Sequence, residues 1–185
     1  SGVTHTKLYR EERERPVMLV LDLTRSMFFG TQKRLKSVQV AHIAALIGWI
    51  SLLKGDRVGG VIFSEKTHSE FRPRGDRKHF LRLLSKIMNF HNSIVENMSD
   101  HEWIFSNGYH LAKGLRRLRH LVQPGSLVYV FSDFSGFDSE CKKHFFQLSK
   151  HSQVKAIFVT DPLEKGLTFN DRYAMTDGEN ITWLN

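Results

Sequence analysis

The sequence predicts an α/β fold of three layers, a mostly parallel central sheet flanked by helices, with one antiparallel edge strand. Two apolar runs, Leu19-Val20-Leu21-Asp22 and Val128-Tyr129-Val130-Phe131-Ser132-Asp133, each end on an aspartate. Strand-like and helix-like segments alternate along most of the chain, the order that builds parallel sheets through crossover connections. The strand segments read as continuous apolar runs, as strands covered on both faces do.

Residues 1–15 are mostly polar and read as an entry arm or tag remnant, Ser1-Gly2 in particular, and 16–185 as one domain. Pro16 opens a strand over 17–21. Gly30 and Thr31 lead into a helix over 32–53, where Leu35, Val38, Ala41, Ala45, Leu46, Trp49 and Leu53 recur at helical spacing. Leu46 and Trp49 are expected in the core. Gly55-Asp56-Arg57 turns into a strand over 58–63, and 67–71 follows closely enough to be its edge partner, ended by Pro73 and Gly75. Residues 76–90 form an amphipathic helix capped by Asp76, with Phe80, Leu83, Leu84, Ile87 and Met88 as its apolar stripe. Residues 91–107 have weak periodicity. A helix over 111–121 is basic on its outer face, Pro124-Gly125 turns into the strand 127–131, 139–150 is helical, and 154–159 is a strand that Asp161-Pro162 breaks. Asp177-Gly178 between 172–175 and 180–184 signals a hairpin.

At 185 residues the chain suits one such domain with a sizeable core. Its formal charge of +8 raises nucleic-acid binding as a class, but the basic residues fall in scattered groups (Arg72, Arg74, Arg77, Lys78; Arg116, Arg117, Arg119, His120) with no recognition module, so nucleic acid is not an expected partner. The single cysteine, Cys141, excludes an internal disulfide and lacks zinc-site spacing. No apolar run approaches the roughly 20 residues of a membrane span, and the start lacks a signal-peptide pattern. A cytoplasmic setting is expected, this chain being in the alternative the soluble part of a longer one. Glycine-rich phosphate loops are absent, which disfavours a nucleotide-binding enzyme.

The segment Asp22-Leu23-Thr24-Arg25-Ser26 delivers a carboxylate and two hydroxyls to one loop, a donor set that suits a hard divalent ion such as magnesium or manganese. The competing reading is helix capping, which uses the same residue types at strand-to-helix junctions. Topology separates the two: if the strands ending at Asp22 and Asp133 lie side by side, both aspartates reach the carboxyl edge of the sheet, where open α/β sheets bind ligands.

On these residues the chain resembles the von Willebrand factor A superfamily, a Rossmann-like fold whose metal-ion-dependent adhesion site uses Asp-x-Ser-x-Ser after the first strand. It is most similar to the bacterial domain-of-unknown-function family 58, often encoded beside MoxR-type AAA+ ATPases. The segments Lys54-Gly55-Asp56-Arg57-Val58-Gly59, Phe131-Ser132-Asp133-Phe134, and Thr160-Asp161-Pro162-Leu163-Glu164 with Asp177-Gly178-Glu179 extend the likeness over about 16–185. The resemblance implies metal ligands at Asp22, Thr24, Ser26 and Asp133. Tyr109 stands where the family type has a threonine, and a bulkier, neutral phenol there implies a degenerate site that holds magnesium or manganese weakly.

The resulting expectation is a non-catalytic protein-interaction module that binds a partner carboxylate through a divalent cation and acts with a MoxR-type AAA+ ATPase. Two alternatives stay open: a scaffold with a vestigial site, and a magnesium-dependent hydrolase. For the latter, none of the histidines shares a recognisable catalytic motif with Ser26 or Cys141.

Overall fold

The computed structural model describes residues 14–96, 109–165, 173–176 and 181–184. Five strands form the main sheet: β1 (Pro16–Asp22), β2 (Arg57–Phe63), β3 (His68–Arg74), β4 (Leu127–Ser132) and β5 (Gln153–Phe158). Their order is β3-β2-β1-β4-β5, and only the β2/β3 pair is antiparallel, which places the antiparallel strand at an edge as expected. A separate antiparallel pair, β6 (Tyr173–Thr176) and β7 (Ile181–Leu184), matches the expected hairpin strands, while its Asp177-Gly178 turn lies outside the described residues.

β1 is the centre of the molecule, and all seven of its residues are buried. Side chains alternate across a strand, so Val17, Leu19 and Leu21 enter one core with α1 (Lys36–Leu53) and α2 (Arg77–Glu96). Met18 and Val20 enter a second core with α3 (Tyr109–Leu118) and α4 (Ser139–Ser149). The result is three layers, with the sheet between two helix pairs. Asp76 caps α2 as expected, its carboxylate accepting from the Lys78 and His79 amides at 3.0 and 3.2 Å.

Several expectations are corrected. α1 starts at Lys36 rather than near residue 32, because the Lys36 amide donates to the Phe29 carbonyl and closes a loop instead of extending the helix. Its core-facing positions are Lys36, Ser37, Val40, Ala44, Gly48 and Ser51, mostly small. A Cβ on Gly48 would lie 2.2 Å from Phe80 Cζ, so the absent side chain is what lets α1 approach α2 so closely. Leu46, Ile50 and Leu53 are turned outward, Leu46 being 63% exposed against the expectation, while Trp49 is half-buried against the core with its ring edge-to-face on Phe80. By length and composition alone α1 is apolar enough to cross a membrane, which corrects the reading that no run approaches that size; here it packs on the sheet.

β3 continues through Pro73 to Arg74, which an edge strand tolerates because it has no second neighbour to receive an N–H. α2 runs on to Glu96, α3 starts two residues earlier than expected, and a short helix α5 (Pro162–Lys165) follows β5 where a simple break was expected. Asp161-Pro162-Leu163-Glu164 is a capping box with proline at the first helical position. The Leu163 amide donates to Asp161 Oδ1 at 3.0 Å and the Asp161 amide to Glu164 Oε2 at 2.8 Å.

Candidate functional site

β1 and β4 are parallel neighbours, with Leu21 opposite Phe131, so Asp22 and Asp133 leave the sheet at the same edge. The loop after Asp22 is fixed from below and from the side. The Leu23 amide donates to the Phe63 carbonyl at 2.9 Å, and Met27 to Thr24 at 2.9 Å, opening a 3-10 turn over Arg25–Phe28. The Arg25 amide donates to Glu65 at 2.6 Å.

Within this frame the sequence-selected residues form one connected set. Asp22 is buried, and its Oδ1 accepts from the Thr24 amide at 3.0 Å and the Thr24 hydroxyl at 2.6 Å. The Thr24 and Ser26 hydroxyls are 3.3 Å apart, and Ser26 in turn hydrogen-bonds Asp133. Across the strands, the Ser132 hydroxyl donates to Asp22 Oδ2 at 2.6 Å and accepts from the Phe134 amide at 2.9 Å. Phe134 adopts a left-handed backbone with φ of 52°, a conformation that costs a bulky residue free energy. The turn made there also lets the Ser135 amide donate to Asp133 Oδ1 at 3.1 Å. Thus Asp22, Thr24, Ser26 and Asp133 lie together. Tyr109 opens α3, and its side chain lies outside the described residues.

The two carboxylates differ in electrostatics. Burial pushes Asp22 up to about 6 against the hydrogen bonds of Ser132 and Thr24, and the Asp133 charge adds to the rise. Burial acts in the same sense on Asp133, but the Lys36 ammonium, the Ser135 amide and Ser26 outweigh it and hold Asp133 below the ordinary carboxylate range.

Sequence reasoning missed three members of the site. Ser132 was legible in principle as the hydroxyl immediately before Asp133. Lys36, the first residue of α1, places Nζ 2.8 Å from Asp133 Oδ2 and 2.5 Å from Glu164 Oε1, with its own side chain only 3% exposed. Burial opposes its charge, yet the two carboxylates prevail and raise its pKa. Glu164 belongs to a segment used for the family likeness, without a role assigned to it. Asp161 anchors that segment by accepting from the Thr31 hydroxyl and, at 2.9 Å, from the Thr31 amide.

The donor set of two carboxylates and two hydroxyls is chemically suited to a hard divalent ion. Hydroxyl oxygens that now donate can turn lone pairs toward an ion; the ammonium on Asp133 cannot. Among the described residues no cluster of three or more His, Cys, Asp or Glu side chains is placed to hold a metal, so hydroxyls would have to complete the set.

Several histidines have hydrogen-bond partners other than the aspartates: His42 with Arg34, His79 with the Arg72 carbonyl, His91 with Ser37, and His144 with Arg119. Burial pushes the Cys141 thiol up to about 11, a protonated and unreactive state at neutral pH.

No curated protein matches the chain. Among solved structures it is similar to the VWA domain of SpRpn10, at 10% sequence identity and a TM-score of 0.35, over 80% of this chain and 89% of that one. The family model described as protein of unknown function DUF58 matches residues 1–185, and the chain belongs to that family.

Proposed function

We propose that the chain is a non-catalytic protein-interaction module that receives a partner's carboxylate at the carboxyl edge of its sheet, through a weakly held magnesium or manganese ion. The observation that carries this reading is the hydrogen-bonded set joining Asp22, Thr24, Ser26 and Asp133 across two neighbouring parallel strands. These four residues would hold the ion, with Tyr109 at the remaining family position. Such an ion supplies an exchangeable coordination position that an Asp or Glu of the partner fills. The proposed partner is a MoxR-type AAA+ ATPase or a protein assembled with its help, by the family resemblance. Turnover is not part of the proposal: the thiol is held protonated, and His42, His79, His91 and His144 make their hydrogen bonds to groups other than the aspartates.

One observation favours a second reading, a scaffold with a vestigial site: the Lys36 ammonium already neutralises Asp133. Co-precipitation of the purified chain with the MoxR-type ATPase of the same cell separates the two. The interaction module binds in magnesium and loses the ATPase in EDTA or on Asp22→Ala. Capture unchanged by either treatment supports the scaffold, and no capture removes this partner.

A further inference from the structure

We infer that Lys36 is a tethered cation that competes with the divalent ion for Asp133, and that ion binding moves its ammonium off Asp133 and onto Glu164 alone. The inference rests on the ion-dependent reading above and adds to it the residue that sets the threshold for ion uptake.

Helix stability does not explain the lysine. It occupies the first position of α1, where the helix dipole disfavours a cation, and no acidic residue of the helix's own first turn offsets it. Burying an ammonium is costly unless it is paired, and both partners come from distant parts of the chain, Asp133 after β4 and Glu164 on α5. Asp133 is then engaged on both oxygens: Oδ2 receives Lys36 and Oδ1 receives the Ser135 amide, with the Ser26 hydroxyl beside them. An ammonium has three donors and no acceptor, so unlike Thr24 or Ser26 it cannot reorient to admit an ion.

Room for the displaced group lies beside it. An open cavity of about 290 Å³ is lined by Asp133, Ser135, Phe158, Thr160 and Glu164. Glu164 is fixed through its other oxygen by the Asp161 amide and is 37% exposed, so it can keep the ammonium at the cavity wall. The three groups therefore offer two arrangements: Lys36 shared between Asp133 and Glu164, or an ion on Asp133 with Lys36 on Glu164.

The test is a manganese titration of the whole chain at fixed pH, following loss of the free-ion electron paramagnetic resonance signal, for the unchanged protein, Lys36→Met and Lys36→Arg. Removing a full charge at contact distance tightens manganese binding about tenfold or more in Lys36→Met; Lys36→Arg binds no more tightly than the unchanged protein. Equal affinity for the unchanged protein and Lys36→Met overturns the role of Lys36 and leaves the ion site standing. No binding in either overturns both. If Lys36→Met fails to fold, acetylation of Lys36 in the unchanged protein, read by mass spectrometry, decides: magnesium raises labelling as the ammonium reaches the cavity. Labelling unaffected by saturating ion overturns the inference.

Discussion

Replacing Asp22 with asparagine removes a buried carboxyl whose ionisation works against the fold while leaving its shape. The displacement from 3.8 to about 6 corresponds to about 3 kcal/mol, at about 1.4 kcal/mol for each tenfold change. The sign follows from the direction. A carboxyl raised in the folded state contributes its stability in full below the unfolded value of 3.8, and that contribution is lost as pH rises through about 6. Linkage puts about 2 kcal/mol of the loss between about pH 4.5 and 7.5, the remainder lying lower. The introduced carboxamide would still offer an oxygen to Thr24 and an N–H to the Ser132 hydroxyl. Urea denaturation in EDTA across that pH range therefore shows Asp22→Asn gaining about 2 kcal/mol on the unchanged protein, other titrations being shared by both. A difference between the two proteins that does not change with pH would refute the assignment of Asp22 as a buried, ionising group.

The outward turn of α1 makes Leu46→Ala nearly neutral, within about 0.5 kcal/mol, whereas Leu115→Ala, fully buried on α3, costs about 2 to 5 kcal/mol through transfer and cavity terms; chemical denaturation of both checks this. Gly48→Val drives a side chain into the Phe80 ring and costs about 1 to 3 kcal/mol or more by overpacking, seen as a lowered melting temperature. Tyr109→Thr restores the family-type hydroxyl and enlarges the magnesium-induced thermal shift, which grows with the ratio of ion concentration to Kd; melting curves in EDTA and magnesium measure it.

Much of the fold was legible because burial leaves a periodic mark. β1 and β4 read as apolar runs, α2 as an apolar stripe, and the turn residues separate them. α1 was misread in its facing because its core side is made of small residues: spacing located the helix, but size, which decides what can approach Phe80, pointed the other way. At the site, Asp22 and Asp133 were legible since each closes a readable apolar run, and Thr24 and Ser26 since they follow Asp22 in an Asp-x-Thr-x-Ser run. Lys36 left no such signal, being one lysine among many until the chain from Asp133 and Glu164 folds around it. α5 was written in the sequence as Asp161-Pro162-Leu163-Glu164, yet proline after a strand reads equally as a break.

If an ion binds at this edge of the sheet, paramagnetic broadening by substoichiometric manganese in the nitrogen-15-labelled chain locates it directly. The amide resonances of Thr24, Ser26 and Ser135 then broaden first, and Asp22→Ala abolishes the effect at these positions. Broadening confined to other surfaces, or identical in Asp22→Ala, would contradict the proposed ion site.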